Sequence, residues 1–169
     1  MERIFNKFLI ALTIIVFTTT FVNGQDLFFI GENSYPCTKS VTLESNYKAF
    51  ITHDPNISFA KDKSEALFAI SVETNGDVLI QGKLIIYLDD GSVISLVDKD
   101  KTDYVDDIAY AVYYLSDEDL IKLKRSNINT VRYRLEGDDE ASTEAFGGNY
   151  SASNKNKFDF PSLASKFFN

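Results

Sequence analysis

Between Ala66 and Val97 the chain alternates apolar and polar residues with period two, and two glycine-bearing turns punctuate the alternation. That period is the strand signature, because successive side chains of an extended chain point to opposite faces. One face reads Ala66, Phe68, Ile70 and Val72, and resumes as Val78, Ile80, Gly82, Leu84, Ile86 and Leu88. The other carries Leu79, Gln81, Lys83, Ile85 and Tyr87. Asn-Gly and Asp-Gly tolerate the positive φ that a two-residue hairpin turn needs. Asn75-Gly76 and Asp90-Gly91 therefore predict an antiparallel meander of three strands, the third over Ser92 to Val97.

The flanking segments extend the pattern. Ile108 to Leu115 (IAYAVYYL) reads as a strand, and Ser116 then caps a helix over Asp117 to Arg125, with Asp119 placed to complete a capping box. Acids fill the first turn of that helix and Lys122, Lys124 and Arg125 the last, matching the macrodipole. Leu120 and Leu123 supply its buried stripe, flanked by Ile121. Ile128 to Leu135 is a further strand, Leu27 to Ile30 and Ala49 to Thr52 are shorter ones, and Asp54-Pro55-Asn56 is a turn. Residues 137–157 are acidic, then rich in Gly, Asn and Ser, which predicts a flexible loop. Over residues 158–168 a short C-terminal helix is expected, since Pro161 suits a first turn and Phe160, Leu163, Ala164 and Phe167 recur at helical spacing. Its phenylalanines would form a sticky patch if exposed, so the segment is expected to dock on the core. The fold class is mainly β, with α+β as the alternative: about six mostly antiparallel strands, one internal helix and the short C-terminal helix. One domain over residues 25–169 is expected.

The first 24 residues stand apart. Arg3 and Lys7 precede an apolar run of ten, Phe8 to Phe17, and Val22-Asn23-Gly24 offers a cleavage site before Gln25. Such a run is half the length of a spanning helix, which needs about 20 residues. The pattern is that of a secretory signal peptide over residues 1–24, so the protein is expected to be exported: periplasmic, outer-surface or secreted, with no integral span after cleavage. The full chain has 17 basic and 25 acidic side chains, net charge -8. Losing Glu2, Arg3 and Lys7 with the leader takes the balance one unit further, to -9. That sign argues against nucleic acid as a partner. Cys37 is the only cysteine, so packing rather than an internal disulfide must hold an exported chain together.

The runs KLIIYLDDGSVISL (Lys83 to Leu96) and DDIAYAVYYLSDEDLIKLKRSNINTVRY (Asp106 to Tyr133) carry a resemblance. With their DG hairpin, capped helix and INTVRY strand, and with the leader, they resemble small exported proteins of the Bacteroidota that have no assigned activity. The resemblance spans about half of the chain. It implies an exported β-rich domain and no catalytic residue.

Chemistry-bearing groups are few. Cys37 and His53, the only histidine, form a nucleophile and base pair only if the fold joins them and depresses the thiol pKa. One Cys and one His cannot fill a zinc shell without carboxylates. The loop Asp98 to Asp107 supplies the densest oxygen set, with Asp98, Asp100 and Asp103 as calcium candidates, but its spacing departs from an EF-hand at positions 5, 6 and 12. A solvated loop is the expected reading. Tyr110, Tyr113, Tyr114 and Tyr133 offer a ligand face such as a sugar platform, against ordinary half-buried packing. Asn56-Ile57-Ser58 and Asn149-Tyr150-Ser151 are sequons. No phosphate loop, nucleophile elbow or HExxH is present, and no cofactor is implied. The expected function is a non-catalytic exported binding or structural module of the cell envelope, meeting an envelope protein or a glycan. The alternative is a secreted hydrolase using carboxylates or the Cys37/His53 pair.

Overall fold

The computed structural model describes residues 26–46, 54–137 and 139–169. The leader, the strand expected at Ala49 to Thr52 and His53 lie outside the described residues. The fold is mainly antiparallel β, as expected, with more strands than the alternation alone revealed. Along the chain run β1 (Asp26–Ile30), β2 (Asn33–Cys37), β3 (Val41–Thr42), β4 (Glu44–Ser45), β5 (Asn56–Asp62) and β6 (Glu65–Glu73). Then follow β7 (Val78–Leu88), β8 (Val93–Leu96), β9 (Thr102–Val105), β10 (Ile108–Leu115) and α1 (Asp117–Arg125). The last elements are β11 (Ile128–Gly137), α2 (Glu140–Phe146), β12 (Gly148–Ser153) and α3 (Phe160–Phe167). Two sheets form. The larger has the order β1-β2-β5-β6-β10-β9, with β3 on β5, and the smaller β4-β12-β11-β7-β8.

Only half of the expected meander exists. Asp90-Gly91 turns β7 into β8 as anticipated, with Gly91 at φ +82° and Tyr87 opposite Val93. The Asp90 carboxylate accepts from both the amide and the hydroxyl of Ser92, which pulls its pKa below the usual carboxylate value. Asn75-Gly76, by contrast, is not a hairpin turn. Both edges of β6 are already taken, by β5 and β10, so β7 is forced into the other sheet. Neither Asn75 nor Gly76 adopts a positive φ. The corner is held by Thr74, whose amide bonds Asp107 O at 2.8 Å and whose hydroxyl bonds Gly76 O at 2.9 Å. The apolar faces of β6 and β7 thus meet across the core instead of lying side by side.

That core collects Phe59 from β5, Phe68 and Ile70 from β6, Ile80, Leu84 and Ile86 from β7, Tyr113 from β10 and Val131 and Tyr133 from β11. The helix α1 forms as read: Ser116 Oγ accepts from Asp119 N, the Asp119 carboxylate accepts from Ser116 N, and Leu123 is fully buried. Ile121 is 63% exposed, on the flank.

The segment 137–157 is not a flexible loop throughout. It holds α2, capped by Asp139 through Ser142 N, and β12, which pairs with β11 over six residues from Thr130↔Ser153 to Leu135↔Gly148. Small polar residues lower intrinsic strand preference, but pairing plus the inward burial of Tyr150 and Ala152 overrides it. The C-terminal segment docks as expected. Asp159 caps α3 through Ser162 N, Phe160 and Ala164 are fully buried, and the Phe160 and Phe168 rings lie 6.2 and 5.4 Å from that of Phe59. Among the described residues no helix is long and apolar enough to cross a membrane.

Candidate functional site: a cleft beneath the first hairpin

β6 is apolar on both sides. Its inner face feeds the main core, while Leu67 and Ala69 point outward and need a second cover. The β1–β2 hairpin supplies it, packing Ile30, Tyr35 and Cys37 with Leu67, Ala69 and Val112. Three contacts pin the hairpin there. Gly31 N donates to Asp103 Oδ2 at 2.7 Å, Lys101 Nζ donates to the Tyr35 hydroxyl at 3.3 Å, and the Phe28 and Tyr110 rings meet edge-on at 5.6 Å.

The hairpin covers the apolar rows of the sheet and leaves a polar row open. Strand register places Asn56, Ser71 and Tyr110 side by side across β5, β6 and β10, with Ser58 one row further in. Together with Asp26, Phe28, Cys37 and Thr38 they line a cleft of about 380 Å³. The Thr42 hydroxyl donates to Asn56 Oδ1 at 2.7 Å, which orients the amide and leaves its NH2 undirected. The Thr38 hydroxyl accepts from Phe59 N. The hydroxyls of Ser58, Ser71 and Tyr110 make no hydrogen bond to a described residue. Burial, then Asp106 and Asp103, push the Tyr110 pKa up, so it is a neutral phenol. The cleft therefore offers hydroxyl, amide and phenol groups beside the Phe28 ring, with Asp26 the single charged side chain among the described residues that line it.

Cys37 sits at the floor, 5% exposed, with its thiol pushed up from 9.0 to about 11 by burial and secondarily by Asp26. A nucleophilic cysteine needs the opposite shift. This shift makes stability pH-dependent with a definite sign. Below pH 9 folded and unfolded chains both hold the proton, whereas above it the unfolded chain loses its proton first, so stability falls as pH rises toward 11. A rise from 9.0 to about 11 corresponds to about 2–3 kcal/mol. Between about pH 8 and 10.5 wild type should lose roughly 2 kcal/mol more than Cys37→Ala, read from urea midpoints. Burial also raises Tyr113 and Tyr133, but in both proteins alike. Equal losses would refute the assignment.

The other candidates are dispersed. Asp98 Oδ2 accepts from Gly82 N and its Oδ1 from Asp100 N, while Asp103 accepts from Gly31 N and Tyr104 N. These carboxylates hold backbone, and Asp98 anchors the bulge of β7 where Gly82 takes φ +72°. Among the described residues no group of three or more His, Cys, Asp or Glu is placed to hold a metal ion. The four tyrosines do not share a face. Tyr113 and Tyr133 are 1% exposed between the sheets, Tyr113 donating to Gly82 O and Tyr133 stacking on Tyr150 at 6.1 Å. Tyr110 and Tyr114 point outward, and Tyr114 donates to Asp62 under the ammonium of Lys99. Parity along β10 makes that division, because residues 110 and 114 differ by an even number and residue 113 does not.

Of the expected surface, only Tyr110 lines the cleft. Phe28, Asn56, Ser58 and Ser71 are the residues that sequence reading missed. For Asn56 and Ser58 the signal lies in NISF (Asn56 to Phe59), which alternates polar and apolar as a strand does. No family model matches the chain, and neither a curated protein nor a solved structure matches it.

Proposed function

We propose that the protein is a non-catalytic exported binding module of the cell envelope, and that the cleft beneath the β1–β2 hairpin receives a neutral polyhydroxylated ligand, such as the end of a glycan. One observation carries this reading. Ser58, Ser71 and Tyr110 present hydroxyls that bond no described residue, in a cleft whose only charged side chain among the described residues is Asp26, beside the Phe28 ring. A ligand rich in hydroxyls satisfies such donors and acceptors alike while an aromatic edge packs on its ring. The export half rests on the leader pattern of residues 1–24.

The test is a titration of the 15N-labelled protein with a panel of neutral oligosaccharides. Amide shifts are expected to cluster at residues 56–58, 71 and 110. Ser71→Val combined with Tyr110→Phe is expected to weaken binding at least about tenfold, the loss of more than one hydrogen bond, with the melting temperature little changed. Native protein should begin at Gln25 by mass spectrometry. Shifts that avoid the cleft, or a double variant that binds as wild type, overturn the ligand assignment. An intact Met1 overturns export.

A further inference from the structure

The outward face of the smaller sheet carries a charge opposite to that of the protein. The register aligns Ser151, Arg132, Ile85 and Ser95 in one row across β12, β11, β7 and β8, and Ser153, Thr130, Tyr87 and Val93 in the next. A third row sets Asn149 beside Arg134 and Gln81, with Lys83 exposed at the bulge between. Over β12, β11, β7 and β8 these rows hold Lys83, Arg132 and Arg134, and their one carboxylate is Glu44, beside Ser153 on β4, in a chain with 25 acidic and 17 basic side chains. The nearest acids stand at the margins, Glu136 paired with Arg134, Glu44 with Lys155, and Asp98 holding the Gly82 amide beside Lys83. Arg132 and Lys83 are exposed and make no ion pair with a described residue.

We propose that this face is a docking surface for an acidic polysaccharide, a chain of uronate type carrying carboxylates among hydroxyls. Three features select that partner. Arg132 presents a guanidinium fork that matches a carboxylate bidentately, and nothing in the described chain engages it. Ser95 adds an exposed hydroxyl in the same row, and Ser151, Ser153 and Thr130, held by Asn46, Asn129 and one another, keep oxygen lone pairs at strand spacing for a ligand whose own hydroxyls flank its charge. Tyr87 is 38% exposed in the adjacent row and supplies an aromatic surface for a sugar ring. An acidic protein partner fits less well, because protein interfaces centre on desolvated aromatic or aliphatic anchors. Here the centre is the charged Arg132, flanked in its row by Ser151 and Ile85, and the exposed apolar Val93 lies on the edge strand β8. The face belongs to the other sheet from the cleft and acts independently of it.

The experiment measures retention of the purified protein on polygalacturonate, with a neutral galactan and poly-glutamate as comparison probes. Retention by polygalacturonate alone is expected, and raising salt from about 0.05 to 0.5 M should weaken it severalfold as the screening length shortens. Arg132→Gln with Lys83→Gln should weaken it at least tenfold, while Arg132→Lys, which keeps the charge but not the fork, should recover only part. All these side chains are exposed, so circular dichroism and melting should match wild type. No retention, retention unchanged in the double variant, or retention insensitive to salt overturns the proposal. Equal retention on poly-glutamate overturns it in favour of an acidic polypeptide, and equal retention on galactan in favour of a neutral glycan.

Discussion

Phe160→Ala is expected to destabilise the protein by about 3–5 kcal/mol, the range for removing a fully buried aromatic side chain. The residue is the first of α3, yet its ring is 0% exposed and lies edge-on to Phe59 at 6.2 Å and to Phe158 at 5.1 Å. Its amide is held by Asn127 Oδ1 at 3.1 Å, and Lys124 Nζ bonds Phe168 O, so α3 is fastened to α1 and to the loop after it. Phe59, on the paired strand β5, cannot follow into the vacated volume, which places the cost in the upper part of the range. Phe158→Ala, 38% exposed, serves as the comparison and should cost about 1 kcal/mol or less. Urea midpoints read both. A Phe160→Ala protein within about 1 kcal/mol of wild type would show that the C-terminal helix is an appendage rather than part of the core.

The second large effect is expected at Ala152→Asp. Ala152 faces Val131 on one side and Ser45 on the other, and is fully buried. A carboxylate there has no cation within the core, and an uncompensated buried charge costs on the order of 3–5 kcal/mol. Since domains are stable by only about 5–15 kcal/mol in total, much of the population should unfold or the protein should become insoluble. Ser151→Asp, one position away on the outward face, should change stability by well under 1 kcal/mol, roughly the surface norm. If residues 148–153 were a loose arm, the two substitutions would behave alike. Thermal denaturation of the pair separates the alternatives.

What was legible in the chain follows from what each kind of signal encodes. The bounds of α1 and β10 were readable because capping chemistry and strong apolar runs are local: Ser116, Asp119 and IAYAVYYL need no knowledge of neighbours. Alternation likewise identified the inward face of β7. It could not say which strand lies beside which, so Asn75-Gly76 looked like Asp90-Gly91 although the first links two sheets and the second one. The difference resides in β6, where Ala66 to Ile70 are all buried. A strand apolar on both faces is an interior strand with both edges occupied, and its successor must leave the sheet. β12 was hidden for the opposite reason: its serines and glycine have little strand preference of their own, and its pairing with β11 supplies what they lack. The cleft was the least legible of all. Asn56, Ser71 and Tyr110 are far apart in sequence and are ordinary residues singly; only register makes them neighbours.

The smaller sheet also dictates an order of events in time. Its strand β4 is among the first in the chain and pairs with β12, among the last, and Asn46 bonds Ser151 across 105 residues. Neither sheet face is sealed until Tyr150, Ala152, Phe160 and Ala164 exist as polypeptide, so a nascent chain cannot mature from its N-terminal end onward. It must wait, with β6 and β7 already made and the rest of their core still to come. Loop closures of this span carry an entropic toll before any contact rewards them, and sandwich-like folds dominated by such pairings mature in roughly milliseconds to seconds. During that interval the acidic side chains have a second duty, keeping unfinished strands of neighbouring molecules apart until the last helix arrives.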